Sequence, residues 1–187
     1  GGWSHLAASA EAVGLQAGKA GNSEAGHMNI GAGRVVPQDD VRLDKAMQDG
    51  SFAANPVLLN TLLDVQRRGR RLHLIGLLTE RSSHGSIEYP LALLRIAADH
   101  RFADVCLHLI FDGRSTEPGS APVLLADLER RMAEIGAGQV VSGMGRGIAL
   151  DRNGNYAKTR RAYEAMVDGA GAPYHWRAPT AATAGIS

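Results

Sequence analysis

The rhythm of hydrophobic and polar positions changes near residue 70. Beyond it, solid apolar runs alternate with stretches in which apolar residues return at helical spacing. Residues 72–78, 103–111 and 139–142 are predicted strands, and 87–100, 121–135 and 156–167 are predicted helices. Strands alternating with helices of this length predict βαβ units and a parallel sheet. Runs such as Val105-Cys106-Leu107-His108-Leu109-Ile110-Phe111 are apolar at consecutive positions, as strands covered on both faces require. The predicted fold class is therefore α/β, a three-layer sandwich with a mostly parallel sheet flanked by helices.

The first 70 residues are less regular. Residues 3–12 suit a short helix or an irregular lead-in, and 14–19 a turn region. Gly21 and Gly26 bracket Ser23 and Glu24, which predicts a helix opening with Asn22 or Ser23 capping its first amides. Such a start favours an anion through its free N–H groups and dipole. A second helix is predicted at 40–47. A third begins with Asn55 as cap and Pro56 as first residue, buries Val57, Leu58, Leu62 and Val65, and ends in the cations Arg67, Arg68, Arg70 and Arg71. Gly18-Lys19 has the look of a phosphate loop, but Ala20 stands where Ser or Thr is required and Gly14 is one position too close.

Composition narrows the function classes. The chain has 187 residues, 44% hydrophobic and 21% charged, with no long apolar run, so neither a transmembrane helix nor a secretory signal is expected. With 20 basic against 19 acidic residues there is no basic field to drive binding to nucleic acid or an anionic membrane. An anion site must come from locally gathered arginines. Cys106 is the only cysteine and lies in an apolar run, which excludes a disulfide framework and a thiolate cluster and fits a reducing cytoplasm. The 23 glycines show no period and imply tight turns, and no internal repeat is present.

Open parallel sheets bind ligands at the carboxyl edge of their strands. Thr79-Glu80-Arg81-Ser82-Ser83-His84-Gly85-Ser86 follows the first predicted strand, Asp112-Gly113-Arg114-Ser115-Thr116 the second, and Gly143-Met144-Gly145-Arg146-Gly147 with Asp151-Arg152 the third. Arg114, Arg146 and Arg152 can clamp a phosphate or carboxylate through bidentate hydrogen bonds. Asp112 can accept or give a proton, and His84 can donate to an anion. Each residue also has a plainer reading: Asp112 shaping a turn, His84 capping a helix, an arginine merely solvated, Ser23 in a glycine-rich loop before a helix. His73 and His108 lie within strands and are expected to be packed there. Gly143 through Gly147 lacks the spacing of a dinucleotide loop.

With these residues assembled, the chain resembles the cofactor-independent (2,3-bisphosphoglycerate-independent) phosphoglycerate mutase family of the alkaline phosphatase superfamily. The likeness rests on Gly21-Asn22-Ser23-Glu24-Ala25-Gly26-His27-Met28-Asn29-Ile30-Gly31-Ala32-Gly33-Arg34, which follows the family's nucleophile segment. It continues through Asp49-Gly50-Ser51-Phe52, Leu72 to Leu78, Asp112-Gly113-Arg114, and Gly145-Arg146 to Asp151-Arg152, from about Ala8 to about Gly169. The resemblance implies that Ser23 accepts the phosphoryl group and ligates a metal. By the same resemblance His84 contacts the substrate phosphate, Asp112 moves protons between the 2- and 3-hydroxyls, and Arg114, Arg146 and Arg152 bind the phosphoglycerate. The implied reaction is 3-phosphoglycerate to 2-phosphoglycerate through a phosphoserine, with the freed glycerate retained.

The family carries two Mn2+ or similar metals on Asp and His ligands of a phosphatase-like domain. The chain is expected to lack those ligands and to bind no metal by itself. The resemblance thus implies three parts: residues 1–37 as a remnant of the phosphatase-like domain, 38–171 as the phosphotransferase or substrate-binding domain, and 172–187 as a tail. Expected properties are a cytoplasmic monomer, a small phosphorylated acid as ligand, no nucleic acid or membrane partner, a separate or missing metal domain, and no activity alone. Local departures bear on substrate identity. Glu80-Arg81-Ser82-Ser83 replaces a glycine-rich run, Ser86 a second histidine, Ser115 an acid, and Gly147-Ile148 an aromatic pair. A non-catalytic binding module, or a diverged mutase for another phosphate or phosphonate, therefore stands beside the principal expectation.

Overall fold

The structure is a computed structural model that describes residues 2–80, 82 and 85–173. Three strands, β1 (Leu72–Leu78), β2 (Val105–Phe111) and β3 (Gln139–Gly145), pair in that order and all run parallel. The alternation of apolar runs and helical spacing is realised as an α/β unit. Helix α4 (Glu88–Asp99) returns the chain from β1 to β2, and α5 (Ala121–Ile135) from β2 to β3. A short helix α6 (Arg146–Ala149) begins where β3 stops, and α7 (Tyr156–Val167) follows.

The core is leucine-rich. Leu91 and Leu94 of α4, Leu107 and Leu109 of β2 and Leu128 of α5 are fully buried. β2 is central and buried from Val105 to Leu109, which explains its unbroken apolar run. Gly76 in β1 admits close packing of α4, because a Cβ there would stand 3.2 Å from Pro90 Cγ. Coverage of the sheet is uneven, for Ile75 of β1 is 62% exposed.

The sheet carries one irregularity. Leu107 pairs with Val140, but the next residue, His108, pairs with Ser142, so Val141 is an extra residue in β3. The shift puts Ser142 on the same face as His108. His108 Nδ1 lies 2.7 Å from Ser142 Oγ, and its Nε2 lies 2.9 Å from Nδ1 of His73, whose ring stacks on it at a centroid distance of 5.2 Å. A buried imidazole is thereby satisfied at both nitrogens; His108 is packed in its strand as expected, whereas His73 is exposed on β1, an edge strand of the sheet. Burial, and then the neighbouring His73, lower the pKa of His108 below the ordinary histidine value.

One local expectation shifts. β3 extends past the predicted end at Ser142 to Gly145 and leads directly into α6, which the sequence does not announce. Of the two readings of 3–12, the irregular lead-in holds, and helical structure there is confined to a 3-10 turn at Ala10–Val13.

The chain divides into two compact units between Asn60 and Thr61, within α3 (Pro56–Arg67). The sheet belongs to the second. The first holds the 3-10 turn, α1 (Ser23–Ala32) and α2 (Asp39–Gln48). Asn55 caps α3 as expected, its Oδ1 accepting from Val57 N at 2.9 Å. Within the first unit Asn29 of α1 acts as a stitch: its Nδ2 donates to Val13 O at 3.0 Å and its Oδ1 accepts from Val36 N at 2.7 Å. Gln16 Nε2 donates to Asp44 of α2 at 2.6 Å, and Gln38 N to Gly14 O at 2.8 Å.

Candidate functional site

The predicted residues fall into two neighbourhoods, one in each unit. In the first, Asn22 is the N-cap of α1, its Oδ1 accepting from Ala25 N at 2.8 Å, so Ser23 occupies the first helical position. That placement is what the small, polar run around Gly21 predicts. His27 sits one turn further on. Its Nδ1 lies 2.7 Å from the Ser23 carbonyl oxygen and 3.3 Å from Ser23 Oγ. A carbonyl oxygen can only accept, so this nitrogen carries a hydrogen and donates it. Towards the Ser23 hydroxyl it is then also a donor, and His27 in this arrangement cannot take the serine proton. The opening stretch contains a serine and a histidine at helical spacing, yet the structure does not make them a nucleophile and its base.

A divalent metal is the other way to activate such a hydroxyl. Among the described residues no group of three or more His, Cys, Asp or Glu side chains converges as a metal site. The donors that the described residues place around Ser23 do not by themselves make a metal centre.

The second neighbourhood lies at the carboxyl ends of the strands. Phe111 pairs with Gly145, so the residues that follow, Asp112 and Arg146, emerge side by side. Asp112 is fully buried and Arg146 is 24% exposed, and they form an ion pair between Asp112 Oδ1 and Arg146 Nη1. Asp112 Oδ2 accepts from Ser115 N at 3.0 Å, and Gly113 N donates to Thr116 Oγ1 at 3.1 Å, which fixes the Asp-Gly-Arg-Ser turn. Burial of the carboxyl works against ionisation. The Ser115 backbone N–H and the Arg146 guanidinium outweigh it and hold the pKa below the usual carboxylate value.

The other predicted residues are placed differently. Arg114 and Arg152 are exposed and form no ion pair among the described residues. Asp151 turns inward to start α7, accepting from Asn155 N at 3.0 Å and meeting Lys158 Nζ at 3.4 Å. His84 lies outside the described residues. Of its loop, Ser82 and Gly85 form an antiparallel bridge. Ser86 donates to Glu80 O at 2.6 Å and accepts from Glu88 N at 3.2 Å, so it ties the loop to the start of α4.

A cleft of about 410 Å3 opens at the strand ends, lined by Asp112, Arg146, Thr116, Glu117 and Ser120 among others. A larger cavity of about 560 Å3 lies between apolar side chains of β2, β3 and α5, including Leu109, Phe111, Leu125 and Val140. Recognition of a small anion needs directed donors, so the smaller cleft, which Arg146 lines at the strand ends, is the candidate site. Sequence reasoning did not single out Thr116, Glu117 or Ser120. Their position in the connection after Asp112, where an open sheet places ligands, was the available signal.

Comparison with known proteins identifies the family. Residues 43–185 match the family described as BPG-independent PGAM N-terminus. A 2,3-bisphosphoglycerate-independent phosphoglycerate mutase of Acaryochloris marina is 44% identical over 169 residues, covering 90% of this chain and 32% of the relative. One of the same name from Thiobacillus denitrificans is 42% identical over 173 residues, covering 90% of this chain and 34% of that protein. A crystal structure of Leishmania mexicana phosphoglycerate mutase, solved at low cobalt concentration, superposes with a TM-score of 0.80 at 29% identity, over 91% of this chain and 32% of the other. The chain spans about a third of the length of the relatives it matches. It belongs to the BPG-independent phosphoglycerate mutase N-terminal family.

Proposed function

We propose that this chain supplies the substrate-binding part, together with the nucleophile segment, of a phosphoglycerate mutase that interconverts 3- and 2-phosphoglycerate in the cytoplasm. The observation that carries the reading is the strand-end cleft, where a buried carboxylate presents Arg146 beside the turn that bears Arg114. Arg114, Arg146 and Arg152 hold the carboxylate and phosphate, since guanidinium groups match both in a planar, two-point fashion. His84 contributes to the phosphate, and Ser23 is the phosphoryl acceptor. Serine needs activation that His27 does not give, so the phosphoserine step depends on groups other than the described residues. Two manganese or similar ions belong to this reading only through such groups. Residues 38–171 form the phosphotransferase domain, preceded at 1–37 by the nucleophile-bearing remnant, and the chain acts as a monomer.

Calorimetric titration of the chain with 3-phosphoglycerate tests the site. Binding that weakens at least tenfold in Arg114→Ala and in Arg146→Ala supports it, as loss of a charge-assisted pair is worth about 1.5–3 kcal/mol. No binding, or binding indifferent to both changes, refutes it. Metal-dependent mutase turnover by this polypeptide alone would overturn the dependence on outside groups. The lack of a convergent metal-ligand set among the described residues also favours a second reading, a module that captures a phosphorylated acid without chemistry. Binding without phosphate transfer to Ser23 in a complete enzyme would select it.

A further inference from the structure

The loop between α6 and α7 contains Asp151-Arg152-Asn153-Gly154-Asn155, and Asn153-Gly154 is the one place in the sequence where glycine follows asparagine. Asp151 closes the loop, its Oδ2 accepting from Asn153 N at 3.3 Å and from Asn155 N at 3.0 Å. The Gly154 N–H between those two is skipped: among the described residues it donates no hydrogen bond, and the Asn153 carboxamide has no partner either. Both residues are exposed, neither lies in a helix or strand, and a Cβ added at Gly154 would meet no heavy atom within 4 Å. Gly154 has φ 73°, in the left-handed region that glycine enters and leaves without steric cost.

The remaining asparagines lack this freedom. Asn22 and Asn29 use their side chains as hydrogen-bonding groups. Asn55 precedes Pro56, which has no N–H, and Asn60 lies inside α3. Asn155 precedes Tyr156, whose N–H donates to Gly154 O at 3.0 Å.

A free carboxamide next to a free, unhindered backbone N–H is set up for an intramolecular displacement. When solvent base takes the Gly154 N–H proton, the nitrogen attacks the Asn153 side-chain carbonyl carbon and closes a five-membered ring. The bond from that carbon to the carboxamide nitrogen breaks, and the nitrogen leaves as ammonia with a proton returned to it. Water then opens the cyclic imide. Addition at the side-chain carbonyl gives aspartate, and addition at the main-chain carbonyl gives isoaspartate, with the backbone routed through the former side chain. One water is consumed and one ammonia released, with no change of oxidation state.

We infer that Asn153 is a site of spontaneous covalent modification, at which the side-chain amide is lost as ammonia and aspartate or isoaspartate takes its place beside Arg152. The product places a carboxylate next to an exposed arginine, and isoaspartate also adds a methylene to the backbone inside the loop that Asp151 closes. On the reading that Arg152 helps to hold a phosphorylated acid, the modification weakens that site as the protein ages.

The test holds the whole chain at pH 8.5 and 37 °C, with a second sample in concentrated urea, and follows proteolytic fragments by mass spectrometry. Asn153 should gain one mass unit in the folded chain at a rate within about tenfold of its rate in urea, a difference of roughly 1.4 kcal/mol in barrier. The gain should be slower at every other asparagine of the folded chain. A larger difference from urea, or faster change at another asparagine, overturns the inference. Asn153→Gln should abolish the gain at this position, and its persistence there would overturn the assignment. Gly154→Ala should slow the reaction about tenfold, because a Cβ on the attacking residue crowds ring closure; an unchanged rate overturns the route through Gly154 N.

Asn153→Asp supplies one product directly and should weaken binding of 3-phosphoglycerate about two- to fivefold, as a screened surface charge does. Unchanged binding overturns the link to the cleft. Failure of the parent chain to bind refutes the functional reading instead, while the mass measurement still decides the fate of Asn153.

Discussion

Gly21 and Gly26 flank Ser23, and replacing each by alanine should have opposite effects. Gly26 lies inside the ten-residue α1, and a Cβ added there would meet no heavy atom within 4 Å. Alanine at an unobstructed helix interior gains about 0.5–1 kcal/mol over glycine through its smaller loss of backbone entropy. That corresponds to a roughly two- to fivefold smaller population of the locally opened helix. Gly21 differs, because a Cβ there would stand 2.1 Å from the Ala8 carbonyl oxygen. The obstacle is backbone, so no side-chain rotation relieves it. Either the lead-in at Ala8 or the entry to α1 must move, at a cost of about 1–3 kcal/mol, the usual range for overpacking. Movement at the entry also loosens the Asn22 cap on Ala25 N. Amide hydrogen exchange followed by NMR at Asn29 and Ile30 reads the outcome: slower in Gly26→Ala, faster in Gly21→Ala. Protection in Gly21→Ala equal to or above the parent would refute the steric argument.

Two further outcomes follow from the sheet. His108 has a lowered pKa in the folded state, so between that value and the ordinary histidine value of about 6.5 the unfolded chain binds more protons. Its contribution is therefore fully present above about pH 6.5 and is lost as pH falls through this window, so the urea midpoint should drop from pH 7.5 to 5.5 and His108→Gln should flatten that drop. A midpoint that rises on acidification would refute the assignment. Leu107→Ala empties a fully buried position on the central strand and should cost about 3 kcal/mol in urea unfolding; a loss below about 1 kcal/mol would mean that the core collapses around the gap.

The sheet was legible in the sequence because β2 is buried on nearly its whole length and so writes itself as an apolar run. Asn22 and Asn55 were legible as caps because capping is a local matter of one side chain and a nearby amide. The far half of β3 was not. Gly143, Met144 and Gly145 have little strand propensity, and pairing with Leu109, Ile110 and Phe111 holds them extended. The strand ends likewise named three arginines as equals, whereas the structure gathers one of them with Asp112. What separates Arg146 from Arg114 and Arg152 is register across two strands, and no pattern within a single segment encodes that. The His73, His108 and Ser142 row was hidden for the same reason: its members meet only once three strands are aligned.

The extra residue in β3 has a consequence for how this segment can vary. Without Val141 standing unpaired, every later residue of β3 would slide by one place, and Gly145 rather than Arg146 would emerge beside Asp112. Ser142 would lose His108 by the same slide. Deleting Val141 would leave Ser142 directly after Val140 and still opposite His108, so the strand tolerates loss of this residue far better than loss of one that follows Ser142. A single-residue deletion between Ser142 and Arg146, harmless in a surface loop, would here carry Arg146 past Asp112, although it removes neither member of the ion pair.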